Sequence, residues 1–73
     1  MKIVISGIGE MGSHLARMLS GNGHDITVID VDTKALNELG NLADLITVEG
    51  DTTAFAVLRR AGVRRCDLFI AVN

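Results

Sequence analysis

Ile3-Val4-Ile5-Ser6-Gly7-Ile8-Gly9-Glu10-Met11-Gly12 is the stretch on which the fold turns. A β-branched run feeds directly into three glycines spaced G-x-G-x-x-G, and a segment of helical apolar periodicity follows without a break. That order is strand, tight turn, helix, and the chemistry that needs the spacing is the seating of a nucleotide phosphate. Gly7 lets the chain turn sharply off the strand. Gly9 lets the backbone approach an anion where a Cβ would collide, and Gly12 lets the helix pack closely on the strand. The helix then begins with free N–H groups and the positive end of its dipole aimed at the phosphates. Ile8, Glu10 and Met11 stand between the glycines and complete the loop expected to face the ligand.

A lone G-x-G-x-x-G recurs by chance, so its surroundings carry the weight. A second β-rich run, Ile26-Thr27-Val28-Ile29, follows the predicted helix and ends on Asp30, 18 positions after Gly12. A carboxylate at that spacing accepts hydrogen bonds from a ribose. The plainer alternative makes the glycines an ordinary turn and Asp30 a solvated strand end. It leaves unexplained why strand, glycines, helix, second strand and acid fall in the required order.

The chain has 73 residues, 48% of them hydrophobic, enough for one small domain. A chain of this size buries roughly 60% of its unfolded surface. No apolar run reaches the ~18 residues of a membrane span and no leader pattern opens the chain, so a cytosolic setting without membrane insertion is expected. The single cysteine, Cys66, has no partner for a disulfide and no companion at metal-ligand spacing, which points to packing rather than chemistry. With a net charge of −2, two phenylalanines and no tyrosine or tryptophan, the chain has neither the charge nor the stacking surface for nucleic acid.

Taken in order, Lys2 to Ser6 reads as a buried parallel strand, apolar on both faces. A helix from Glu10 to Ser20 places Met11, Leu15 and Met18 on one face with Ala16 and Leu19, turns His14 and Arg17 outward, and ends at Gly21-Asn22-Gly23. Asp32 or Thr33 caps a second helix, which carries Leu36 and Leu39 inward and stops at Gly40. Leu45 to Val48 is a third strand. Asp51 is placed to cap a third helix with Ala54, Leu58 and Ala61 inward and Gly62 as its stop. Leu68 to Val72 is a fourth strand, ending on Asn73. The pattern β-α-β-α-β-α-β is an α/β, Rossmann-like three-layer arrangement, and right-handed crossovers give a parallel sheet in the order 3-2-1-4. Two helices then cover one face and a single helix the other. Strand 4 is an edge carrying Leu68, Phe69, Ile70 and Val72, so either further chain or a second copy is expected to cover it.

Ligands of parallel sheets sit outside the carboxyl ends of the strands. Those ends carry the glycine loop, Asp30 with Asp32, Asp51 with Thr52, and Asn73. Asp51 either meets the adenine or its ribose or serves only as a helix cap, and Asn73 stands where it could reach the phosphate or the distal sugar. Asp30 favours NAD or an adenosine nucleotide over NADP, whose extra phosphate it would repel; Lys34 is the nearby cation. Glu10 sits well at a helix N-terminus but opposes a polyphosphate if it turns inward. Arg59, Arg60, Arg64 and Arg65 cluster at the end of the third helix, where basic groups suit the dipole. No site residue suggests catalysis or a metal.

With those residues placed, the chain resembles the TrkA-N or RCK nucleotide-binding domain of potassium-transport regulators. The likeness rests on Ile3 to Gly12, on Val28-Ile29-Asp30-Val31-Asp32, and above all on Glu49-Gly50-Asp51-Thr52-Thr53 followed by Leu58-Arg59-Arg60-Ala61-Gly62-Val63 and Asp67-Leu68-Phe69-Ile70-Ala71-Val72. It implies a non-enzymatic regulatory module that binds NAD(H), ATP, ADP or AMP. It further implies assembly as a homo-oligomer and control of a membrane potassium transporter subunit from the inner, cytoplasmic face of the membrane. Many relatives carry a basic or neutral residue where Glu10 stands, and the family's domain continues with further strands and helices, so this chain corresponds to its front half. A cofactor-binding half of an NAD-dependent dehydrogenase shares the glycine argument, but no general acid or base stands out near the nicotinamide position.

Overall fold

The computed structural model describes residues 1–73. Its elements are β1 (Lys2–Ser6), α1 (Glu10–Gly21), β2 (Asp25–Asp30), α2 (Thr33–Leu42), β3 (Ile46–Glu49), α3 (Phe55–Arg60), a 3₁₀ turn (Val63–Arg65) and β4 (Leu68–Ala71). The four strands are parallel in the order β3-β2-β1-β4, as the crossover argument predicts. Register brings Val48, Ile29, Ser6 and Ala71 level across the sheet. The loops after the strands therefore start from one rim.

The alternation of side chains divides the interior in two. Ile3, Ile5, Ile26 and Val28 point to one face and are sealed by Ala16, Leu36 and Leu39 of α1 and α2, with Ile70 and Val72 packed against them. Val4, Ile29 and Val48 point to the other face, which receives Ala61 together with Val57, Leu58, Val63 and Cys66. Burial of such aliphatic groups contributes ~1.5–3 kcal/mol each.

Several local expectations are corrected. The inward face of α1 runs Gly12, Leu15, Ala16, Leu19; Met11 and Met18 are exposed. The reason is the close approach of Gly12 to the Gly7 carbonyl and Val72, which turns Met11 to the outside. Gly40 does not stop α2. Its φ is not positive, so it keeps helical backbone, and the helix runs on to Leu42. Asp51 does not cap α3, whose N-cap is Ala54. The expected helix is shortened because Asp51 spends its carboxylate on a turn of its own, described below. Gly62, at φ +88°, ends α3 as expected, but its left-handed turn leads into the 3₁₀ turn, which carries no sequence signal of its own. On β4 the bare groups are Leu68 and Phe69, while Ile70 and, just past the strand, Val72 are half-buried because they pack against the core sealed by α1 and α2. The other edge, β3, exposes Ile46.

Candidate functional site

The site is built at the end of β1. Gly7 extends the ladder by donating its N–H to Ile29 O (2.9 Å) and then turns at φ +109°, a conformation that disfavours any side chain. The three glycines have different reasons to be glycine. A Cβ at Gly7 would lie 2.9 Å from Asn73, and one at Gly12 would lie 2.1 Å from the Gly7 carbonyl oxygen, so both are required by packing within the chain. A Cβ at Gly9 would meet nothing within 4 Å. The protein itself does not need a glycine there, and the space above it is open on the side where α1 begins.

Gly9 is the N-cap of α1 and supplies no side-chain cap. The first helical hydrogen bond is Ser13 N–H to Gly9 O (2.8 Å), and the N–H groups of Gly9, Glu10, Met11 and Gly12 donate to no acceptor in the chain. Four adjacent donors at the positive end of a 12-residue helix, beside a position with no side chain, form a seat for an anion. The loop is held from below by Asp30. One carboxylate oxygen accepts the Ile8 N–H (2.9 Å) and the other accepts the Asp32 N–H (2.9 Å). Each oxygen retains a lone pair, so Asp30 can fix the loop and still accept a ribose hydroxyl.

Asp32 accepts from Ala35 N–H (3.1 Å) and is thus the cap of α2, settling the choice between Asp32 and Thr33. Thr33 instead donates its hydroxyl to Glu49 (3.1 Å). Asp51 takes both the Thr53 N–H (2.8 Å) and the Thr53 hydroxyl (2.7 Å), and these bonds hold its carboxyl below the usual carboxylate range. Asn73 joins two strand ends: Ser6 Oγ donates to its Oδ1 (3.3 Å), and its Nδ2 donates to Thr52 Oγ1 (2.6 Å). The structure therefore brings Gly7 to Gly12, Asp30, Asp32, Thr52 and Asn73 onto one rim, with Asp51 beside Thr52. Ser6 and Thr53 carry structural bonds that the sequence reading assigned to no one. The signals were a buried serine closing an apolar strand and an Asp-x-Thr turn.

A groove of about 540 Å³ lies at the opposite, amino end of the sheet, lined in part by Val4, Thr27, Ile46, Ala61 and Arg65. It exists because six-residue α3 is too short to cover that face. It contains none of the rim residues above. No helix is long and apolar enough to cross a membrane, and no cluster of acids, histidines and cysteine stands at metal-binding spacing.

A parallel 3-2-1-4 sheet with a glycine-rich turn between its first strand and first helix defines a Rossmann-like fold of the nucleotide-binding class. More narrowly, residues 3–73 match the TrkA-N domain, and the chain belongs to that family. Over its full length it is 43% identical to the Trk system potassium uptake protein TrkA homolog of Archaeoglobus fulgidus, and 44% identical to Trk system potassium uptake protein TrkA of Halomonas elongata. It is 35% identical to the TrkA homolog of Pyrococcus abyssi. The chain spans 16% of the length of the first two relatives and 32% of the third.

Proposed function

We propose that this chain is the ligand-sensing module of a potassium uptake system. A nucleotide, NAD(H) or an adenine nucleotide, rests its phosphates on the N–H groups of Gly9 to Gly12 and its ribose on Asp30. Asp32, Asp51, Thr52 and Asn73 border the rest of the ligand. The module performs no chemistry of its own. It acts as a homo-oligomer in the cytoplasm, at the inner face of the membrane, and ligand occupancy changes the state of a membrane potassium transporter subunit. The observation that carries this reading is the unfilled space above Gly9 beside four unpaired N–H donors. The relatives' name, a potassium uptake protein, favours a regulator over a dehydrogenase half.

Gly9→Ala separates binding from folding, because its φ of −52° is open to alanine and the new methyl group has no protein neighbour. Calorimetry with NADH and ADP is expected to show binding to the native chain, at least ~10-fold weaker binding to Gly9→Ala, and an unchanged thermal midpoint. Asp30→Ala is expected to cost about 1.5–3 kcal/mol of affinity through loss of a charge-assisted hydrogen bond. Undiminished binding in both variants would place the ligand elsewhere.

A further inference from the structure

We propose that Glu10 makes this site select ligands with no terminal phosphate, dinucleotides above all, over nucleotides that end in a free phosphate. The inference rests on the nucleotide reading of the glycine loop and goes beyond it by naming what the loop discriminates. Glu10 is the first residue of α1, exposed, and its carboxylate has no hydrogen-bond partner in the chain. It stands next to Gly9, in the same turn as the N–H donors that form the anion seat. On the other side of the loop is the Asp30 carboxylate, bonded to Ile8 N–H at 2.9 Å. An anion held on the loop therefore shares its turn with the Glu10 carboxylate and rests on a loop that the Asp30 carboxylate holds.

No cation compensates them within the loop. Lys34 is the one basic residue in the first turn of a helix that starts from this rim; Arg17 lies two turns down α1, and Arg59 and Arg60 lie at the far end of α3. The Arg60 guanidinium is committed to the Glu49 carbonyl oxygen at 2.7 Å. Asp32, Glu49 and Asp51 add further negative charge along the same rim. The backbone donors and the helix dipole supply a fixed, modest positive potential, enough for an anion of low charge. In a dinucleotide each phosphate is bridged on both sides, by an ester to a sugar and an anhydride to the other phosphate, and carries a single charge. A terminal phosphate has a second ionisation near about 6 and is close to doubly charged at neutral pH. Repulsion from Glu10 grows with each added charge, so it falls hardest on the free triphosphate, less on the diphosphate and least on the dinucleotide.

The test is calorimetry of the native chain and of Glu10→Gln with NADH, ADP and ATP, at low and high salt. The expected order for the native chain is NADH over ADP over ATP. Glu10→Gln, which stays folded but loses the small stabilisation of a charge at the helix N-terminus, is expected to narrow the NADH-to-ATP ratio by about fivefold at low salt. That narrowing should vanish at about 1 M salt, where the screening length is ~3 Å. A ratio that Glu10→Gln leaves unchanged, or a native preference for ATP, overturns the role of Glu10 while leaving the nucleotide site standing. Failure of all three to bind the native chain overturns the nucleotide reading itself, and this inference with it.

Discussion

At the residue scale the chain uses carboxylates as acceptors for backbone N–H groups. Asp30 holds Ile8 and Asp32, Asp32 holds Ala35, Asp51 holds Thr53, and Asp67 holds the N–H of Lys2 at 2.7 Å. Asp51 is the case in which this use moves a titration. Its carboxyl lies below the ordinary value, first because of the Thr53 hydroxyl and second because of the Thr53 N–H. A folded-state value below the unfolded one means that the turn's contribution to stability is complete above an unfolded pKa of ~3.9 and is lost as pH falls through the folded value. Thr53→Val removes the hydroxyl and keeps the N–H, so an NMR titration should find the Asp51 carboxyl moved part of the way back up; no movement would deny the hydroxyl its role. The glycine loop was legible from its spacing together with the strand and helix around it, whereas Asp30 was read only as an acceptor for a ribose, and its hold on the Ile8 N–H came from the structure. Spacing could not show that Asp51 turns back on Thr53, because an aspartate ahead of a helix reads equally as a cap or as a turn.

At the element scale the sequence announced every strand and every α-helix, because β-branched runs and apolar repeats mark where burial is needed. It was weaker on which way a helix faces. Met11 and Gly12 differ by one position, and only the close approach at Gly12 decides that Met11 lies outside. The end of α2 was misplaced because a glycine stops a helix only where a left-handed turn follows, and Gly40 keeps helical backbone. The same helix gives a test of capping. Asp32→Ala should lower stability by about 1 kcal/mol, whereas Asp32→Asn, which still accepts from the Ala35 N–H, should lose only a few tenths. Urea unfolding of both variants measures the difference. Equal losses would mean that the charge, not the cap, is what α2 draws on.

For the molecule as a whole, the two layers outside the sheet are unequal. The face under α1 and α2 is sealed, while the face under short α3 keeps an open groove, and both sheet edges present apolar groups, Ile46 on β3 and Leu68 with Phe69 on β4. Long apolar edges are sites of pairing with another chain. The chain is therefore expected to self-associate at tens of micromolar, and Phe69→Lys, at a position 40% exposed, to shift it toward monomer without loss of fold. Sedimentation reads this directly, and a native chain that runs as a monomer at that concentration removes β4 as an association edge. The fold order was legible because handed crossovers leave few choices. The groove was not, since nothing in the sequence announces that α3 has only two turns or fewer of coverage to give. The pairing of β1 has a last consequence, which lies in time. β1, an interior strand of the sheet, is made before both of its neighbours, and its pairing with β4 sets Ile3 opposite Leu68, 65 positions further along (68 − 3). Closing a loop of that span is an entropic delay that no local contact offsets in advance. These four strands cannot close into one sheet until β4 has emerged. With no proline among these 73 residues, that closure rather than an isomerisation is the expected slow step in their folding.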